Sequence, residues 1–169
     1  HYLSESTREV AKQDLHNYEA EPLIALATTN WLGSCAGTFR TASVSEDYFP
    51  IESRYMEWTA TAFLLANDRK IKILFTNEYT FQVNDSEGSL SKSPTYHLAE
   101  SEVLQWLINR PMTHLARKAW QQKLSRSLHA LANVQLKEGR KMDAWKAHMR
   151  SLLLPGGYRY LSFTRHLLF

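Results

Sequence analysis

The sequence has a single cysteine, Cys35, so no disulfide bond can form within the chain. No apolar run approaches the roughly 20 residues that a membrane-spanning helix needs, and no basic segment followed by an apolar one marks a secretory leader. No base-reading motif accompanies the basic residues, so we expect no nucleic-acid partner. Together with 44% hydrophobic and 22% charged residues, these absences favour a globular chain in the cytoplasm.

Charge is distributed unevenly, although the formal net charge is only +3. Residues 1–110 contain nine lysine and arginine residues against fifteen acidic ones, whereas residues 111–169 contain eleven against two. A basic block of this kind attracts polyanions, and we expect it to make peripheral contact with the inner face of a membrane. Solvated helix faces account for the same charge equally well.

Hydropathy patterns change near residue 97. Before it, alternating apolar residues predict strands over 70–76 and 78–83, and the apolar run 23–29 is compatible with a strand or a buried helix. After it, a period of 3.6 predicts helices over 99–109, 113–137 and 142–154 and a short helix over 158–169. We therefore expect an α/β unit over residues 1–97 and a helical appendage over 98–169.

Local signals set the boundaries of the predicted helices. Thr113 is suited to cap the helix that follows it, and Gly139 is suited to end that helix. The apolar spacing predicts an inward stripe on each helix; its members are Val103, Leu104 and Leu107 on the first, Leu115, Ala119, Leu124, Leu128, Leu131 and Gln135 on the second, and Met142, Trp145, Met149 and Leu152 on the third. The second and third of these helices, joined by Glu138-Gly139-Arg140, resemble half of a tetratricopeptide-type repeat, of which arrays need about three units.

The stretch 55–66 is apolar on nearly every face, which is typical of a buried helix. Glu57 stands at its start, beside Trp58. A carboxylate in a first helical turn is favoured by the helix dipole, by roughly 0.3–1 kcal/mol, which is sufficient reason for its presence. The alternative is that Glu57 is a general base beneath a cleft.

The residues around Glu57 resemble family 2 glycosyltransferases, in the second half of their GT-A catalytic domain. Met56-Glu57-Trp58-Thr59 stands where the family has an acidic pair before tryptophan, and the helix then ends in Leu64-Leu65-Ala66. A basic apolar strand follows at 69–74, and Ser89-Leu90-Ser91 is similar to a later family segment. The resemblance covers roughly residues 23–96.

This resemblance implies a partial GT-A, Rossmann-like fold and an inverting sugar transfer. Glu57 would take the proton of an acceptor hydroxyl, which then attacks the anomeric carbon of a nucleotide-sugar. The acceptor would be a saccharide or a lipid-linked glycan, as in polysaccharide biosynthesis. The substrate-binding residues expected around Glu57 are Trp31, Arg40, Trp58, Ser89, Ser91 and Lys92. The alternatives are a core position for Trp31, a surface position for Arg40 and a plain mobile loop at 89–92.

Two departures from the family pattern limit this interpretation. Met56 replaces the first of the two acidic residues, and no Asp-x-Asp occurs in the chain. The Mg²⁺ or Mn²⁺ ion that the complete enzyme needs would therefore be held by residues outside this chain, which has the character of a fragment carrying the acceptor half. The alternative function is a non-catalytic helical interaction or adaptor module.

Overall fold

The computed structural model describes residues 16, 18–29, 38–50, 55–68, 71–74 and 94–168. We number its α-helices α1 to α6 and its two 3₁₀-helices η1 and η2. In chain order they are α1 (Pro22–Thr28), η1 (Glu46–Tyr48), α2 (Glu57–Asn67), α3 (Pro94–Ile108), α4 (His114–Lys137), α5 (Lys141–Leu152), η2 (Gly157–Phe163) and α6 (Thr164–Leu168).

The predicted α/β, Rossmann-like fold is wrong for this part of the chain, which is helical and contains no strand. The run 23–29 belongs to helix α1, because Pro22 presets the backbone of its first turn and Leu23, Leu26 and Ala27 lie on one buried face. Residues 71–74 keep the alternating exposure of a strand but have no ladder partner among the described residues. Their period of two reflects an extended segment whose Ile71 and Ile73 pack against the core. The second predicted strand, 78–83, lies outside the described residues.

The core is built where α1, α2 and α3 meet the first half of α4. Trp120 and Phe63 are completely buried, and their rings meet edge to face with centroids 4.8 Å apart. The indole of Trp120 also donates a hydrogen bond to the carbonyl oxygen of Leu23. Residues from both sides of position 97 thus share one core, and α3 spans that position; the division into two units there stays a prediction.

Helices α4 and α5 form an antiparallel hairpin. The backbone N–H of Ala116 donates to the side chain of Thr113 at 3.2 Å, which confirms the predicted N-cap. Gly139 has φ +78°, the left-handed conformation that ends a helix most easily when the residue is glycine. The hairpin packs closely because small side chains, among them Ala132 and Ala144, line its interface.

Two of the predicted inward stripes need correction. On α4, Leu115 is exposed and Ala119 is only half-buried, because the buried line at this end runs through Ala116, Trp120 and Leu124. On α5, Met142 and Met149 face outward, and the side chains that face α4 are instead Ala144, Ala147, His148 and Ser151. The stripe predicted on α3 is confirmed, since Val103, Leu104 and Leu107 are buried.

Candidate functional site

Glu57 is the first residue of α2, and its side chain is exposed. One carboxylate oxygen accepts the backbone N–H of Tyr55 at 3.0 Å. This hydrogen bond fixes the carboxylate at the start of the helix while leaving it in contact with solvent. An exposed, oriented carboxylate at this position can accept a proton from a hydroxyl group brought close to it.

The backbone at Tyr55 adopts an unusual conformation, with φ +70°. It is the only residue other than glycine with positive φ in the part of the chain that the structure describes. A bulky residue held there costs of order 1–3 kcal/mol and persists only where the surroundings determine it. The strained residue lies two positions before Glu57, and its own backbone N–H is the group that orients the carboxylate.

Helix α2 provides a firm base for Glu57. Its buried residues are Thr59, Ala60, Thr61, Ala62, Phe63 and Leu65, as the all-round apolar pattern predicted. Trp58 is half-buried and packs against the core, so only part of its ring can meet a ligand. Because the helix is held on most sides, the backbone that carries the Glu57 side chain cannot move far without disturbing the core.

The opposite end of α2 meets η1. The phenol of Tyr48 donates a hydrogen bond to Asp68 just beyond the helix, and this bond raises the pKa of Tyr48. The two residues line a surface cavity of about 330 Å³ together with Asp47, Leu64 and Asn67. Glu46 and Asp47 of η1 are exposed. Among the described residues, no group of three His, Cys, Asp or Glu could hold a metal ion.

The remaining predicted site residues are not all placed. Arg40 lies exposed at the start of a turn, where its carbonyl oxygen accepts the backbone N–H groups of Ser43 and Val44. Of the described candidates, Glu57 and Trp58 are neighbours in α2, and no hydrogen bond or ion pair joins Arg40 to Glu57. The other candidates lie outside the described residues; they are Trp31, Ser89, Ser91 and Lys92.

A groove between α3, α4 and α5 was missed by the sequence reasoning. Its volume is about 380 Å³, and Glu102, Asp143, Lys146 and Arg150 contribute charged groups to its lining. Gln135 also lines it, and the buried side-chain oxygen of this residue has no hydrogen-bond partner. A glutamine on an otherwise apolar helix stripe was the available signal, because a buried amide needs a partner.

A second missed feature is a histidine pair beneath the C-terminal segment. His129 of α4 stacks on Tyr160 with centroids 4.0 Å apart, and His148 of α5 hydrogen-bonds Thr164 at 2.9 Å. Burial lowers the pKa of both imidazoles, and the neighbouring His148 lowers that of His129 further. Both Nδ1 atoms are buried without a hydrogen-bond partner, so the pair is suited to the neutral state.

Comparisons of the chain with protein-family models, with curated proteins and with solved structures found no match. In the described part of the chain, no helix is both long enough and apolar enough to cross a bilayer.

Proposed function

We propose that the chain carries the acceptor side of a sugar-transfer reaction in which Glu57 is the general base. The observation that carries this proposal is the exposed Glu57 carboxylate, which the N–H of the strained Tyr55 orients at the start of a buried helix. Such a group is held in place and remains accessible to a substrate hydroxyl, as a general base must be.

In the proposed reaction, the acceptor is a saccharide or lipid-linked glycan and the donor is a nucleotide-sugar. Glu57 removes the proton of the acceptor hydroxyl as the oxygen attacks the anomeric carbon, and the nucleoside diphosphate leaves with the electron pair of the broken bond. Trp58 offers a partly exposed ring beside the base. Among the described residues, no group of acidic, histidine or cysteine side chains fits a divalent metal.

The test compares the full-length protein with its Glu57→Gln variant in transfer assays with nucleotide-sugars and glycan acceptors. Glutamine keeps an oxygen that can accept the Tyr55 N–H, so folding is preserved while the base is lost. We expect turnover to fall on the order of 10²-fold or more and nucleotide affinity to stay the same. The matched control is Glu46→Gln, which changes another exposed carboxylate at the start of a short helix.

The second candidate is a non-catalytic helical interaction module. It is favoured by the helical architecture of the described residues and by the apolar side chains that α5 exposes, chiefly Met142, Met149 and Leu153. Under this function, the wild-type protein transfers no sugar, and Glu57→Gln changes neither its stability nor its binding properties.

A further inference from the structure

Helix α5 has an inner face that is buried against α4 and an outer apolar face that is exposed. The inner face, formed by Ala144, Ala147 and Ser151, is buried against α4. The outer face carries Met142, Met149 and Leu153, which are 71%, 47% and 83% exposed. Their spacing of seven and four residues places them on one line along the helix, because Leu153 continues the helical conformation at the C-cap.

Basic side chains accompany this apolar line. Lys146 lies on the same line between the two methionines, and Arg150 follows one turn later; both side chains are exposed. Asp143 is the only acidic residue of α5, and its carboxylate is engaged by Arg140 and Lys146 at 3.5 Å and 3.8 Å. The outer face is therefore apolar along its length and positively charged.

The C-terminal segment, residues 157–168, has a similar exposed composition. It returns alongside α5, because the ammonium of Lys141 at the start of α5 donates to the carbonyl oxygen of Leu168 at the end of α6. Like the outer line of α5, it exposes apolar side chains interspersed with arginines; they are Tyr158, Leu161 and Leu168, with Arg159 and Arg165.

We propose that this surface, the outer face of α5 with the adjoining segment 157–168, docks flat on an anionic phospholipid membrane. Charge complementarity selects this partner, since residues 141–168 carry five basic residues against one acidic residue, Asp143. Methionine and leucine side chains can enter the boundary between headgroups and acyl chains, while long basic side chains reach the lipid phosphates.

The test is flotation of the full-length protein with vesicles of phosphatidylcholine alone or with added phosphatidylglycerol. We expect at least tenfold stronger partitioning onto the anionic vesicles, weakening as salt is raised. The triple variant Met142→Ser, Met149→Ser, Leu153→Ser is expected to lose at least tenfold in partitioning, with its helical circular dichroism unchanged because all three positions are exposed. Leu115→Ser is the matched control, since this leucine of α4 is 66% exposed.

A double variant separates the contribution of charge from that of apolar contact. Replacing both Lys146 and Arg150 by glutamine is expected to weaken binding to anionic vesicles and to make that binding less dependent on salt. Equal binding to both vesicle types, no binding to either, or unchanged binding by the triple variant would overturn the proposal. Concentration-dependent dimerisation without vesicles that the triple variant abolishes would also overturn it, because the surface would then be occupied by a second copy. None of these outcomes depends on sugar transfer.

Discussion

The indole N–H of Trp120 donates a hydrogen bond at 3.0 Å to the carbonyl oxygen of Leu23, which lies 97 positions earlier in the chain. Both residues are buried, and the same tryptophan ring packs on Phe63 of α2. Helices α1, α2 and α4 are therefore joined at a single side chain. The helix that carries Glu57 is held in place by this junction.

Replacing Trp120 by phenylalanine should destabilise the protein substantially. The variant keeps an aromatic ring but loses the hydrogen bond to the carbonyl oxygen of Leu23, which costs about 0.5–1.5 kcal/mol, and it also loses ring volume in a fully buried position. The free energy of unfolding from urea titration measures this. Trp106→Phe is the control, because Trp106 is only half-buried and lies under the guanidinium of Arg110; an equal loss in both variants would contradict the assigned role of Trp120.

Two glycines should differ in how they tolerate alanine. A Cβ atom at Gly157 would lie 2.1 Å from the carbonyl oxygen of Ser151, so the C-terminal segment would have to move away from α5. A Cβ at Gly139 meets nothing within 4 Å, and only its left-handed backbone opposes the change, at about 1–2 kcal/mol.

We therefore expect Gly157→Ala to lower the melting temperature more than Gly139→Ala does. The reverse order in thermal unfolding followed by circular dichroism would show that the segment 157–168 packs on α5 less tightly than the structure indicates.

Acid should loosen the C-terminal segment. His129 and His148 have pKa values lowered by burial in the folded state, so the unfolded chain, with a histidine pKa near 6.5, takes up protons first. The stability that the neutral histidines contribute is therefore fully present above about pH 6.5. It is lost as the pH falls below that value and through the lowered folded-state pKa. Urea midpoints at pH 7.5 and pH 5.5 measure this loss.

His129→Phe should reduce that acid sensitivity, because phenylalanine can stack on Tyr160 and does not titrate. His114→Gln serves as the control, since His114 is exposed at the start of α4. If His129→Phe and wild type lose the same stability between the two pH values, the histidine pair is not the acid-sensitive element.

The positions of the helices were largely predictable, because the signals that set them are local. Thr113 and Gly139 act within one turn of the helix end they define, and the burial of α2 follows from its all-round apolar composition. The α/β prediction failed because alternating apolar residues at 71–74 indicate only that the backbone is extended. An extended segment forms a sheet only when a second strand lies beside it. The sequence pattern carries no information on that neighbour.

The orientation of α5 was not predictable from hydropathy. Met142 and Met149 form the more apolar stripe, yet the hairpin packs through Ala144 and Ala147 because small side chains let two helices approach closely. Around the candidate site, the position of Glu57 at a helix start was predictable, whereas the strained backbone of Tyr55 that orients it was not. Trp31, Ser89, Ser91 and Lys92 stay predictions.

The most direct test of the central claim is sugar transfer by full-length wild-type protein and by Glu57→Gln, measured side by side with a panel of nucleotide-sugars and glycan acceptors. We expect wild type and Glu46→Gln to transfer sugar equally well and Glu57→Gln to lose turnover on the order of 10²-fold or more, with unchanged nucleotide affinity and unfolding midpoint. Full transfer by Glu57→Gln, or no transfer by the wild-type protein, would contradict it.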